Sequence, residues 1–176
     1  SPLKKPTTTK NKLNMSKHII SVDAMGGDFG PSELVPACVQ FVKSMPDASI
    51  ILVGNVELIT PLLESVDDAI KQKIEVVATT EVVTSDDSPA VAMRNKKKSS
   101  MRVAVNLVHE GRASACVSSG NTGALMAISK FVLKTVKNLK RPALLTRIPN
   151  RDGTVTRLLD VGANVDSDAE QLSQFA

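Results

Sequence analysis

Aromatic residues are nearly missing from this chain of 176 residues, which has four Phe, no Trp and no Tyr. Single-stranded nucleic acid is gripped largely by stacking bases on such rings, so the composition speaks against a nucleic-acid partner. Cysteine is scarce too. Cys38 and Cys116 stand far apart with no CxxC pair, which argues against a disulfide framework or a thiolate metal cluster and points to a reducing cytoplasm. His18 and His109 are too few and too separated to suggest a metal site, and no Ser-His-Asp or Cys-His arrangement is on offer. All four of these residues read as structural. No apolar run approaches the roughly 18 residues of a membrane span. The first ten residues lack the apolar core of a secretory signal.

What the chain does have is Val, Ile, Leu and Ala, which carry most of its 42% apolar content and suit buried parallel strands covered by helices. Its length holds one domain with a real core, or part of a larger one. The net charge of +4 conceals blocks. Residues 1–18 carry five Lys and no acid; residues 19–93 carry three basic and twelve acidic groups, a net of −9. Residues 94–157 carry fourteen basic and two acidic groups, a net of +12, and the last nineteen residues carry four acids and no base. The basic block either pairs off against the acidic one or steers an acidic partner or anionic substrate.

Residues 1–17, polar and broken by Pro2 and Pro6, read as a disordered basic leader or a vector-derived remnant, with Met15 as a natural start. Residues 18–176 form the α/β domain. His18–Met25 predicts a buried strand. The Gly-rich turn 26–30 follows, then Pro31 at the first helical position and a helix to about Ser44. Ser49–Gly54 predicts a second buried strand, 56–65 a short helix with Pro61 in its first turn, and Lys73–Ala78 a third, less buried strand. Ser99 or Ser100 caps a helix through Met101, Ala104, Val105 and Val108. Ala115–Val117 opens a fourth buried strand, and Leu125, Ile128, Val132 and Val136 trace one face of a helix ended by Arg141-Pro142. Ala143–Thr146 predicts a fifth strand, Arg151–Thr154 a hairpin turn, Val155–Val161 a further strand, and Ala169–Phe175 a helix capped by Asp168. Strands alternating with helices imply a mostly parallel sheet with helices on both faces, a three-layer αβα arrangement. The chain stops inside an apolar pattern, which predicts a truncated domain.

Three loops at the C-terminal ends of strands, 23–31, 118–123 and 160–164, share a Gly/Asp/Asn/Ser makeup, and in an open parallel sheet ligands bind along that edge. The central one, Ser118-Ser119-Gly120-Asn121-Thr122-Gly123, runs from a strand into a helix, where free N–H groups and the helix dipole favour a phosphate or carboxylate. By itself it fits an ordinary capped βα turn as well. Lys96–Lys98 read either as a solvated loop or as amines for an anion. The spacing of the first loop is not the dinucleotide fingerprint, and no cofactor or metal is expected. Such a site positions an anion that does the chemistry itself.

The stretch Val22-Asp23-Ala24-Met25-Gly26-Gly27-Asp28-Phe29-Gly30-Pro31 resembles the N-terminal signature of the phosphate acyltransferases of the PlsX type. Lys97–Met101, Ser118–Met126 and Leu159–Asn164 resemble later motifs of that family in the same order. Two positions depart from its pattern: Lys98 stands where an acid is expected and Ser119 where Ala is usual. Family chains are longer, so this chain would be the N-terminal portion and inactive alone. The resemblance implies transfer of a fatty acyl group from acyl carrier protein to inorganic phosphate, giving acyl phosphate for phospholipid synthesis. It also implies a fold related to isocitrate and isopropylmalate dehydrogenases, a homodimer, and a cytoplasmic setting with loose peripheral membrane association. Under it, Asn121, Lys97 and Asp28 are the candidate catalytic residues. Asp23, Gly26, Gly27, Ser99, Ser100, Ser119, Gly120, Thr122, Gly123, Asp160 and Asn164 are candidates for binding phosphate or orienting the loops, and the +12 block would meet the acidic carrier. The rivals are a nicotinamide-dependent decarboxylating dehydrogenase of related fold and a non-catalytic basic binding module.

Overall fold

Ile50, Ile51, Leu52 and Val53 form a continuous apolar run, and a strand with no polar face must sit inside a sheet. In the computed structural model, which describes residues 18–164 and 166–176, that strand is β2 (Ala48–Gly54), buried along its whole length. The expected leader, residues 1–17, lies outside the described residues. β1 (His18–Asp23) and β3 (Ile74–Ala78) flank β2 in parallel, with Ile20 opposite Ile50 and Leu52 opposite Val76. β3 is half-buried, the less buried strand that the sequence predicts, and lies at the sheet edge. β4 (Ala115–Val117) pairs with the other side of β1, so the order is β3-β2-β1-β4.

Alternate residues of the strands feed two cores. On one face Val22, Ala24, Ile50 and Leu52 pack with Val35, Cys38 and Val42 of α1 (Pro31–Ser44) and Ile59 of α2 (Val56–Leu63). α3 (Asp68–Lys71) lies on the same side. On the other face Ile51 and Val53 meet Ala104 and Leu107 of α5 (Ser100–His109). α4 (Pro89–Asn95), α5 and α6 (Thr122–Val132) share a third cluster through Ala92, Met101, Val105, Ala124 and Ile128. Each fully buried Leu or Ile in these clusters contributes about 1.5–3 kcal/mol through the apolar area it hides. Helices therefore cover both faces of a parallel sheet, as the sequence predicts.

Four expectations need correction. Pro61 is the sixth residue of α2 rather than in its first turn. The helix starts at Val56 because the Asn55 side chain accepts from the Glu57 N–H, and Pro61 then removes a helical bond two residues before the end. β4 is not buried: Val117 is 51% exposed and Cys116 half-buried. As an edge strand it is covered only where Cys116 faces the α5 and α6 clusters. α6 ends at Val132, not at Arg141-Pro142. Lys134 turns left-handed with φ 68 and leaves Val136 exposed, a reversal that apolar spacing cannot register. Finally, the strand expected at Ala143–Thr146 forms as β5 (Leu145–Pro149) and stays out of the parallel sheet. It pairs antiparallel with β6 (Val155–Leu159), which stops short of Val161. The expected hairpin turn is there: the Asp152 carboxylate accepts from the Thr154 N–H at 3.0 Å, and Gly153 takes φ 82. α7 (Ala169–Phe175) follows with Asp168 and Gln171 forming its capping box.

Candidate functional site

Strand order locates the site. From β1 the chain builds outward through β2 and β3, then crosses to the opposite side of β1 to make β4. The gap between the carboxyl ends of β1 and β4 is thus a topological switch point, where the following loops part to opposite faces and leave a crevice. The loops that flank it are 23–31 and 118–123.

Register brings these loops together. Val22 pairs with Val117, so Asp23 and Ser118 emerge at one level. Ser118 Oγ donates to Asp23 Oδ2 at 2.7 Å, and Asp23 Oδ1 accepts from the Met25 N–H at 3.2 Å. Ser118 Oγ also accepts from the Gly120 N–H at 3.2 Å, and Ser119 Oγ donates to the Gly26 carbonyl at 3.2 Å. Asp23, only 2% exposed, is therefore a fixed strut between the loops, since a buried carboxylate is tolerated only when hydrogen bonds satisfy it. At Gly26 the backbones come so close that a Cβ would lie 2.9 Å from the Gly120 nitrogen. Gly27 adopts φ 78, which a side chain disfavours, and a Cβ there would meet Ser119 Oγ at 2.9 Å.

The third wall comes from the segment before α4. The crevice, about 580 Å³, is lined by Met25, Gly27, Asp28, Val82, Val83, Thr84, Ser85, Ser119, Gly120, Asn121 and Thr122. Asn121 ties this wall to α6. Its Oδ1 accepts from the Ala124 N–H at 3.0 Å as the N-cap, while its Nδ2 donates to the carbonyls of Thr84, Ser85 and Asp87. Asp87 holds the wall from the other side. One carboxylate oxygen accepts from the Thr84 N–H at 2.7 Å and from Lys96 Nζ at 2.5 Å, and Lys96 also donates to the Val82 carbonyl. The hydrogen bond from Lys96, and then that from the Thr84 N–H, keep the Asp87 carboxyl below the usual carboxylate range. With the Ala124 N–H given to the Asn121 side chain and the Leu125 N–H to its carbonyl, Thr122 and Gly123 present the first-turn N–H groups that lack a helical acceptor.

The predicted residues divide accordingly. Asp28, Gly27, Ser119, Gly120, Asn121 and Thr122 line the crevice. Asp23 and Gly26 support it from beneath, and Gly123 packs against Pro89 at the base of α6. Ser99 and Ser100 are buried at the start of α5, where Ser99 caps the helix by accepting from the Arg102 N–H and donates to the Lys96 carbonyl. Lys97 is exposed and is not among the lining residues. The loop 160–164 does not converge on the crevice either. The Asp160 carboxylate accepts from the N–H groups of Leu144, Ala163 and Asn164, and the Asn164 amide donates to it and to the Pro142 carbonyl. Burial pushes the Asp160 carboxyl up, but these bonds outweigh it and hold it below the usual range. Asp160 and Asn164 thus brace their own hairpin.

The wall 82–85 and its Asp87–Lys96 clamp are missing from the sequence reading. Asp86-Asp87-Ser88-Pro89 has the composition of a turn, but the amide contacts from Asn121, more than thirty residues on, leave no local pattern. Among the described lining residues there is no Lys or Arg, and Asp28 carries the charge. Attraction for an anion must come from N–H groups and the α6 dipole. Among the described residues no cluster of His, Cys, Asp or Glu is arranged to hold a metal.

Fold and crevice define a class: a parallel α/β protein with a switch-point site of backbone donors, hydroxyls and one carboxylate, suited to a small anionic group. Comparison with known proteins makes this specific. The chain belongs to the family described as fatty acid synthesis protein, whose model matches residues 18–176. It is 52% identical over 157 residues to the phosphate acyltransferase of Janthinobacterium sp. (strain Marseille), covering 89% of this chain and 44% of that protein. It is 51% identical over 162 residues to that of Legionella pneumophila (strain Corby), covering 92% and 47%. The chain thus spans a little under half the length of the curated relatives it matches.

Proposed function

We propose that the crevice between 23–31 and 118–123 holds inorganic phosphate while a fatty acyl group is transferred to it from a thioester on acyl carrier protein. The observation that carries this reading is the contact of the two loops, through Asp23–Ser118 and Gly26–Gly120, in a chain about half identical to phosphate acyltransferases. Phosphate is its own nucleophile. A phosphate oxygen attacks the thioester carbonyl carbon, the new C–O bond forms, and the C–S bond breaks as the thiolate departs and takes up the proton that phosphate loses. No side-chain nucleophile is required. Holding the two reactants at contact distance supplies up to about 7–11 kcal/mol of the barrier reduction, and N–H donors aimed at the developing oxyanion add to it.

In this reading the N–H groups of Thr122 and Gly123 bind phosphate with the Thr122 hydroxyl, and Asp28 at the rim relays to the departing thiolate the proton that phosphate loses. Asn121 is a positioning residue, because both ends of its amide are committed to the helix cap and the wall. Lys97, exposed outside the crevice, attracts anions at longer range, and Ser99 and Ser100 fix the start of α5. The acyl phosphate formed feeds phospholipid synthesis. The complete enzyme is a cytoplasmic homodimer with loose membrane association and a fold related to isocitrate and isopropylmalate dehydrogenases. Among the described residues, no helix is long and apolar enough to cross a membrane. No observation favours the nicotinamide-dependent dehydrogenase or the non-catalytic basic module.

The test is a reaction of acyl-carrier thioester with orthophosphate, using a protein of the relatives' full length that contains this chain. Trapping the product with hydroxylamine should yield the acyl hydroxamate in a phosphate-dependent way. Free fatty acid alone, or reduction of a nicotinamide cofactor, would overturn the proposal.

A further inference from the structure

α6 starts in the crevice and runs to Val132, which at 1.5 Å per residue places its far end about 15 Å away. At that end the Phe131 ring is 51% exposed and held between two cations. The Arg102 guanidinium lies 5.1 Å from the ring centroid and the Lys134 ammonium 5.0 Å. Arg102 is itself fixed, with Nε donating to Asn106 Oδ1 and a terminal nitrogen to the Met93 carbonyl. Beside the ring is a shallow apolar hollow of about 470 Å³, lined by Met93, Ala127, Lys130, Phe131, Lys134 and Thr135. Lys130, Lys134 and Lys137 are exposed and make no ion pair among the described residues. Arg102, Lys130, Lys134 and Lys137 all belong to the +12 block.

We infer that this surface docks the small acidic protein that delivers the acyl group, with Phe131 as the apolar anchor and Arg102, Lys130 and Lys134 as the cationic rim. The inference rests on the reading above that the donor is carried by a protein. An aromatic side chain at the centre with charges around it is the usual anatomy of an energetic contact, and the cation contacts hold it in place before binding, which lowers the ordering cost. An unpaired basic patch attracts an acidic partner over distance and fixes its orientation. The 15 Å along α6 is then the gap that a flexible thioester arm spans, while the body of the carrier stays outside the crevice. A lipid surface fits less well. The apolar stripe of α6, Ala124, Ile128 and Val132, is buried in the protein, whereas interfacial helices turn such a stripe toward the lipid.

The test titrates this chain against an acidic acyl carrier protein, with and without its prosthetic arm, at low and high salt. The unmutated chain should bind both forms and weaken with salt. The double reversal Lys130→Glu/Lys134→Glu should lower affinity at least about tenfold and flatten the salt dependence. Phe131→Ala should weaken binding with the salt dependence retained, and Lys43→Glu on α1 should change nothing. Circular dichroism melts of these surface variants should match that of the unmutated chain. Carrier binding undiminished in the double reversal would overturn the docking surface and leave the donor reading standing. So would a loss of binding to anionic phospholipid vesicles with carrier binding intact. No binding of either carrier form to the unmutated chain would overturn both. Acyl-phosphate formation from a small acyl thioester in the full-length protein reads the catalytic proposal separately, and the double reversal should leave it unchanged.

Discussion

Replacing Gly26 with Ala adds one methyl group at the point where the two loops touch. An ideal Cβ there stands 2.9 Å from the Gly120 nitrogen, 3.0 Å from Asp23 Oδ2 and 3.1 Å from Ser118 Oγ, against a favourable separation of about 3.5 Å or more. The nearest atom is backbone, so no rotamer change relieves it and the 118–120 loop must move by roughly half an ångström. Overpacking of this kind costs about 1–3 kcal/mol. The movement also stretches the Ser118–Asp23 and Ser118–Gly120 bonds that shape the crevice. In urea unfolding, with a slope of about 2 kcal/mol per molar, the midpoint should fall by about 0.5–1.5 M, and orthophosphate affinity should fall at least about tenfold. Gly111→Ala is the control. Nothing lies within 4 Å of a Cβ there, but φ is +72, so the cost is backbone strain of about 1 kcal/mol with phosphate affinity unchanged. If Gly26→Ala matched the parent chain in both midpoint and phosphate affinity, the close contact of the two loops would be refuted.

Other parts of the structure give independent checks. Because Lys96 and Thr84 lower the Asp87 pKa, its stabilising contribution is present above the unfolded value of about 3.9 and is lost as pH falls through the lower folded value. Melting curves should therefore show the parent more stable than Asp87→Asn at neutral pH, with the gap closing in acid; a gap independent of pH would contradict the clamp. Burial pushes the Cys38 and Cys116 thiols up to about 11, so at pH 8 on the order of one in a thousand is thiolate. Alkylation should be slow in the folded protein and fast in denaturant, and free-thiol rates in the native state would refute the burial. Asn121→Ser should keep a helix cap but lose the tethers to 84–87, and so weaken phosphate binding. Asn121→Ala should lose both, at about 1 kcal/mol for the cap alone. Equal melting temperatures for the two variants would tell against the cap.

Most of the parallel sheet was legible because its signals are local. The run Ile50–Val53 announces an interior strand, Pro31 a helix start, Asp168 a cap. The glycines of 26–30 and 120–123 pointed to the crevice for the same reason, since close backbone approach requires a missing Cβ. The exposure of Val117 depends on what covers β4, which the residues of β4 do not encode. The α6 stripe continues to Val136 in spacing although the backbone turns at Lys134. Asp160 and Asn164 had the composition of a ligand loop, but their hydrogen-bonding capacity is used within their own hairpin. The wall 82–85 and the Asn121 tether are contacts between distant residues, which no periodicity announces.

Phosphate held between the loops after β1 and β4 should report itself on the backbone N–H groups there. Amide chemical shifts of the ¹⁵N-labelled chain, followed during an orthophosphate titration, test that placement most directly. Saturable shifts should be concentrated at Gly27, Gly120, Thr122 and Gly123 and should weaken in Gly26→Ala. Shifts centred instead on the start of α5 or the 160–164 loop, or none under saturating phosphate, would contradict it.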